Sequence, residues 1–336
     1  MFLRKILLLL VATATVAIIH AQTIELTYAE KLGYPKGAKV LILHVDDAGM
    51  SYDSNEGTIQ ALTNGVANSC SVMMPCSWVP GFVHFLKQHP GTDAGLHLTL
   101  TSEWKEYRWG PIAGKSITPG LVDHEGNLWP SVPEVVMHAS AGEVEKEIKA
   151  QLDRARTMGF EPTHLDSHMG TLFASPAFLE KYIKLGIDNH IPVMLPGGND
   201  VLIQQEMQAS DTMIKQLRSI GRILWSAGLP VLDDLHNYSY DWEIPDSISN
   251  DNKKLQDFKT TKYIGALQSL QAGVTMMIMH CTATSETFKY ISSSGASRRA
   301  DLLAMLDPAF KKALKDNGII LSTWRELKER RMKVKD

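Results

Sequence analysis

Lys39-Val40-Leu41-Ile42-Leu43-His44-Val45-Asp46-Asp47-Ala48-Gly49-Met50-Ser51 is the stretch whose pattern points to a fold. An aliphatic run of strand length stops on two adjacent carboxylates, a glycine and a serine, as a buried strand does when it delivers charged groups to the loop at its carboxyl end. Enzymes of alternating strands and helices keep their chemistry at such ends. Taken alone, the Asp pair before Gly49 and Ser51 also reads as a strand-to-helix turn with an Asp or Ser cap. Three further apolar segments shift the balance, because each carries histidine: 95–100 with His97, 163–168 with His164, Asp166 and His168, and 276–280 with His280. Two carboxylates and several imidazoles from separate strand ends are a metal-ligating set.

Outward from that stretch, strand and helix alternate. A helical pattern over 54–63 ends at Asn64-Gly65, a strand follows over 66–74, a helix over 81–88, and a strand over 94–100. In the last of these, Leu96, Leu98 and Leu100 take one face and His97 and Thr99 the other. A helix over 142–158 turns its charges outward and stops at Gly159, and Pro162 opens the strand in which His164, Asp166 and His168 share parity. Then come a helix over 175–185, a strand over 191–195, helices over 203–217 and 263–271, a strand over 274–280, one helix over 298–317 and a last strand over 318–322. The expected fold is α/β, a single distorted (β/α) TIM-like barrel. An open doubly wound sheet is the alternative, but no Gly-x-Gly-x-x-Gly follows the first strand, and ligands from four strands gather more naturally at a barrel mouth. Insertions near 101–140 and 199–262 are far longer than ordinary connections and read as lids or binding walls at that mouth.

The 336 residues, 44% hydrophobic and 21% charged with a net charge of −3, suffice for a full core and give no electrostatic reason to expect nucleic acid. Arg4 and Lys5 precede an apolar run from Ile6 to Ile19, with Ala21 as a small residue for cleavage. Residues 1–21 are therefore expected to be a signal peptide, leaving a mature domain over 22–336 that is periplasmic or secreted and not inserted in a membrane. Cys70, Cys76 and Cys281 are read as core residues, with one disulfide left open.

Of two adjacent carboxylates, one can coordinate an ion while its neighbour accepts the proton of an attacking water. His280 then has the place of a proton donor, or of an ordinary strand-end hydrogen-bonding residue. The aromatic residues of the insertions, Trp104, Tyr107, Trp109 and Trp129 in the first and Tyr238, Tyr240 and Trp242 in the second, suit either sugar stacking or local packing. Arg298 and Arg299 suit either a substrate carbonyl or a helix end.

Several blocks together resemble the YdjC-like carbohydrate deacetylases: 45–51, where that family shows an Ala-Asp-Asp-Phe-Gly-type turn, Asn55-Glu56-Gly57-Thr58-Ile59, Gly95-Leu96-His97-Leu98-Thr99, Thr163 to His168, His280, Ser297-Arg298-Arg299 and 318–322. The resemblance implies a distorted (β/α) barrel and metal-dependent removal of acetyl groups from N-acetylated oligosaccharides. It implies Asp47, His97 and His168 as ligands of one divalent ion, zinc or magnesium, Asp46 as general base and His280 as general acid. The sequence departs from the family at Ala48, Met169-Gly170 and Cys281-Thr282, which bears on substrate fit more than on chemistry. The competing expectations are a metal-dependent phosphoesterase and a carbohydrate-binding protein without catalysis.

Overall fold

The computed structural model describes residues 26–335, so the expected signal peptide lies outside the described residues. Six parallel strands, β1 (Lys39–Ala48), β2 (Ser69–Val72), β3 (Ala94–Leu98), β4 (Leu165–Ser167), β5 (Asp234–His236) and β6 (Gly273–Met279), form a curled sheet in the order β4-β3-β2-β1-β6-β5. Helices between them cover the outer face, so both faces of β1 and β6 are buried, as their unbroken apolar runs require. The edges of the sheet are joined as well. Leu165 of β4 bridges Val193, and Pro196 bridges Leu232 just ahead of β5, so parallel pairing runs full circle and the fold is a distorted barrel. The strand expected over 191–195 is reduced to these single bridges because Pro192 and Pro196 bracket it and neither can donate to a ladder.

A seventh strand, β7 (Ile320–Leu321), pairs with β1 at Val40 and Leu41, whereas β2 pairs with it from His44 onward. Asn68 spans the split: its side-chain oxygen accepts the Leu43 N–H at 2.9 Å and its amide donates to the Ser322 carbonyl at 2.8 Å. The helix expected over 298–317 is two, Gly295–Met305 and Pro308–Asp316, because the Pro308 ring disfavours helical backbone at Asp307, which caps the second helix instead. A final helix, Trp324–Lys333, lies beyond the elements expected, although Thr323 followed three residues later by Glu326 is the sequence mark of a helix start. It seats the buried Trp324 ring flat against His164, with centroids 5.2 Å apart. The range 199–262 itself holds the helix Asp211–Ser226 and β5, so part of the barrel wall lies within it.

One buried ion pair braces the last third of the chain. Lys259, on the helix Asn252–Ser269, is fully buried and donates to Asp301 at 2.8 Å, and Tyr263 donates to the same carboxylate oxygen at 2.7 Å. The other Asp301 oxygen accepts the His280 N–H at 3.0 Å, which connects the pair to the end of β6. Lys259→Met strands a buried carboxylate and is expected to cost about 3–5 kcal/mol of unfolding free energy. A urea midpoint equal to the parent's would show that the pair contributes nothing.

Candidate metal centre

The inner face of the barrel is polar. Parity on β1 sends His44 and Asp46 to one side, and there they meet side chains from strands that are not their neighbours in the sheet. His44 Nε2 lies 3.0 Å from Asp166 Oδ2 on β4, although β2 and β3 stand between, so these residues lie on the concave side. His44 Nε2 is also 3.1 Å from Asp46 Oδ1 and 3.1 Å from Ser71 Oγ, and its Nδ1 is 2.9 Å from Ser69 Oγ. With three oxygens around Nε2, the ring is best satisfied as an imidazolium. Burial opposes that charge, but Asp166 and Asp46 outweigh it and raise its pKa to about 9. Gly95 is required here, since a Cβ would sit 2.5 Å from the His164 ring.

At the carboxyl ends of the strands the chain turns sharply. Asp47 has a positive φ of 68° and Gly49 one of 86°, and the turn is closed by Asn55, whose side chain accepts the Gly49 N–H at 2.7 Å and donates to the Trp78 carbonyl at 2.9 Å. Ser51, not either aspartate, caps the helix Tyr52–Thr63, accepting the Ser54 N–H at 3.0 Å. The strand-to-helix turn is therefore present with Ser51 as its cap, and the Asp pair is free for other work.

Asp47 Oδ1, His97 Nε2 and His168 Nδ1 converge. The carboxylate oxygen lies 3.4 Å from each nitrogen and the nitrogens lie 3.2 Å apart. Donors about 2.1 Å from a shared ion at tetrahedral angles are roughly 3.4 Å from one another, so the spacing fits a divalent cation. The hydrogen bonding agrees. His97 Nδ1 is held by Asp166 Oδ1 at 2.7 Å and His168 Nε2 by Glu103 at 3.1 Å, so each ring, when neutral, turns a lone pair toward the other two donors. Asp47 Oδ1 is itself buried without a hydrogen-bond partner. Three lone-pair donors aimed at one point repel each other unless a cation lies between them. With His97 and His168 neutral, as ligands must be, the carboxylates of Asp46, Asp47, Glu103 and Asp166 face one guanidinium, Arg298, and one imidazolium, His44, a deficit of two positive charges that one divalent ion would fill. Arg298 occupies the other Asp47 oxygen at 2.6 Å. Burial would raise the Asp47 pKa, but the Arg298 guanidinium beside it holds it well below the carboxylate range.

Asp46 lies beside this trio. Its Oδ1 is taken by His44 and Ser71, and its Oδ2 is 3.8 Å from His97 Nε2 and 3.9 Å from His280 Nε2. Burial and the nearby Arg298 lower the His280 pKa. The structure thus brings Asp46, Asp47, His97, His168 and His280 to one place. His164 and Asp166, which share parity with His168, do not join that trio: β4 ends at Ser167, His168 begins a turn, and His164 stays in the core. Arg298 reaches the site, whereas Arg299 points to Asn252 at the surface. Sequence reasoning assigns no role to Glu103 or His44. His44 carries a signal in its parity with Asp46, but nothing local marks Glu103.

Around the mouth, Trp104 and Tyr240 lie over the Arg298 guanidinium, with centroids at 5.9 and 5.5 Å, and Tyr240 also contacts the His280 ring. Tyr238 is exposed, and the remaining insertion aromatics pack inward or against their own loop. Trp109 is buried, Trp129 stacks on His138, and Trp242 lies against Tyr263 and His236. All three cysteines are buried free thiols. No described helix is long and apolar enough to cross a membrane.

A family model described as YdjC-like protein matches residues 40–316. A carbohydrate deacetylase of Thermus thermophilus is 29% identical over 301 residues, covering 89% of this chain and 97% of the relative. A chitooligosaccharide deacetylase of Yersinia enterocolitica is 30% identical over 165 residues, 45% of this chain and 60% of that protein. Among solved structures, an Enterococcus faecalis protein provisionally assigned to cellobiose-phosphate cleavage superposes with a TM-score of 0.69 at 20% identity, covering 86% of this chain and 99% of that one, a likeness of fold.

Proposed function

This chain belongs to the YdjC-like protein family, and from that premise we propose that it is a metal-dependent carbohydrate deacetylase that hydrolyses the acetamide of N-acetylated oligosaccharides. What supports this reading above all is the trio Asp47, His97 and His168 around one point, with the carboxylate of Asp46 beside it. Bound there, a divalent ion, zinc or magnesium, supplies Lewis-acid polarisation of the acyl oxygen and eases ionisation of water. Asp46 takes the proton of the attacking water on Oδ2, the oxygen not committed to His44 and Ser71. His280 gives a proton to the departing amine as the carbon–nitrogen bond breaks, yielding acetate and a free amino sugar. Its Nε2 faces Asp46 Oδ2 at 3.9 Å, so the ring stands beside the group that collects the proton. Arg298, bonded to Asp47 Oδ2, leaves only Oδ1 for the ion and offsets charge in a closed site.

The proposal includes export, with residues 1–21 as a cleaved signal. Acetate release from N-acetylated chitooligosaccharides, with and without chelator and with metal restored, tests the activity. Acetate that is insensitive to chelation, or phosphate released from a phosphoester panel with no acetate from any saccharide, would remove the proposal.

Tyr240 is exposed beside His280, while Trp242 is partly buried against Tyr263 and His236, so the two aromatics are expected to separate in their effects. Tyr240→Ala should weaken binding of long oligosaccharides by roughly two- to tenfold, the value of about 0.5–1.5 kcal/mol for a ring contact, with less effect on the shortest cleaved substrate. Trp242→Ala should instead lower stability, by less than the loss of about 3–5 kcal/mol for a fully buried ring because Trp242 is only partly buried. KM measured across chain lengths and a urea titration check both. Equal losses on long and short substrates for Tyr240→Ala would assign that ring to packing.

A further inference from the structure

Glu103 takes part in neither proton transfer nor the ligand trio, yet it is drawn deep into the site. We propose that Glu103 is a positioning residue of the metal centre, a carboxylate that holds His168 in the tautomer and orientation needed to ligate. Both of its oxygens lie against His168 Nε2, at 3.2 and 3.1 Å, on the side of the ring away from Asp47 and His97. A proton kept on Nε2 leaves the lone pair on Nδ1, where it faces the other two donors. Asp166 has the same relation to His97.

His168 needs such a partner more than His97 does. His97 lies within β3, where the ladder to β4 sets its direction. His168 follows the last residue of β4, and the next two residues, Met169 and Gly170, have φ of 51° and 64°, so the sheet no longer aims its side chain. Glu103, by contrast, sits in well-braced backbone. The Thr101 carbonyl accepts Trp109 Nε1–H at 3.0 Å, the Ser102 hydroxyl accepts the Trp109 N–H at 3.0 Å, and the Ser102 N–H donates to the Trp129 carbonyl at 2.9 Å. Trp104, next in the chain, borders the Arg298 guanidinium. Glu103 therefore fixes the ligand from the insertion that walls the mouth, and by linkage ion binding and the placement of that insertion reinforce each other.

This inference rests on the metal reading, and its test reads ion binding, not turnover. Zinc and magnesium are titrated calorimetrically into metal-stripped wild type, Glu103→Gln and Glu103→Ala. Removal of a carboxylate behind a ligating histidine weakens metal affinity by about 10–100-fold, the loss expected for Glu103→Ala. Glu103→Gln is isosteric and still accepts from Nε2–H but lacks the charge, so its affinity should lie between the other two. Should Glu103→Ala not fold, the glutamine variant carries the test alone. Affinity equal to wild type in the variants, with only a lower melting temperature, overturns the inference and makes Glu103 an anchor of the insertion. A wild type that binds neither ion removes the metal reading together with this inference, an outcome distinct from the first.

Discussion

Asp46→Asn is expected to lower turnover by about two to four orders of magnitude, the usual loss on removing a general base, while divalent-ion content stays near that of the parent. The geometry makes this substitution unusually clean. Asp46 Oδ1 accepts from His44 and Ser71, so an asparagine keeps its carbonyl oxygen there and turns its amide nitrogen toward the site. The group facing the reaction then has no lone pair to receive a proton. Metal analysis of the purified protein and single-turnover acetate release check both halves. Metal lost from Asp46→Asn and retained in Asp47→Asn would exchange the roles of the two neighbours.

Asp47→Asn is expected to fail at an earlier stage, by losing the ion. An amide is a poorer ligand than a carboxylate, and excess metal should restore part of the activity. This variant should also lose stability by about 3–5 kcal/mol, because Arg298, 3% exposed, keeps a charge that Asp47 no longer balances. Asparagine is the right probe because it tolerates a positive φ better than alanine, so backbone strain does not obscure the result. His97→Ala and His168→Ala should likewise abolish turnover and lower metal content, since a three-ligand centre has none to spare. Full metal occupancy in His97→Ala would exclude that residue from the centre.

Much of this molecule is legible in its sequence. The aliphatic run of β1 ending on Asp46-Asp47, the alternation of strand and helix, and histidines near the ends of other strands are local patterns with local causes: apolar runs buried on both faces, parity along a strand, and turn chemistry at glycine and asparagine. Local chemistry also explains where periodicity misleads. Pro192 and Pro196 reduce an expected strand to single bridges, and Pro308 divides an expected helix, so both corrections follow from proline's missing donor and ring sterics. Parity is a poorer guide at 164–168, because the strand ends at Ser167 and alternation has no meaning beyond it.

The strand-and-helix alternation, the candidate donors and the adjacency of Asp46 and Asp47 can be read from the chain alone, because they depend on residues a few positions apart. Which donors meet is set by contacts between distant parts of the chain. Asp47 and Arg298 are 251 residues apart and His168 and Glu103 are 65 apart, and no periodicity connects such pairs. They come together because a sheet curled into a barrel turns one face of β1, β3 and β4 inward, so a carboxylate can approach histidines from strands that are not its neighbours. The same curvature divides like residues into unlike positions, with Asp166 behind His97, Asp47 in the converging trio and Asp46 beside it with one oxygen unclaimed.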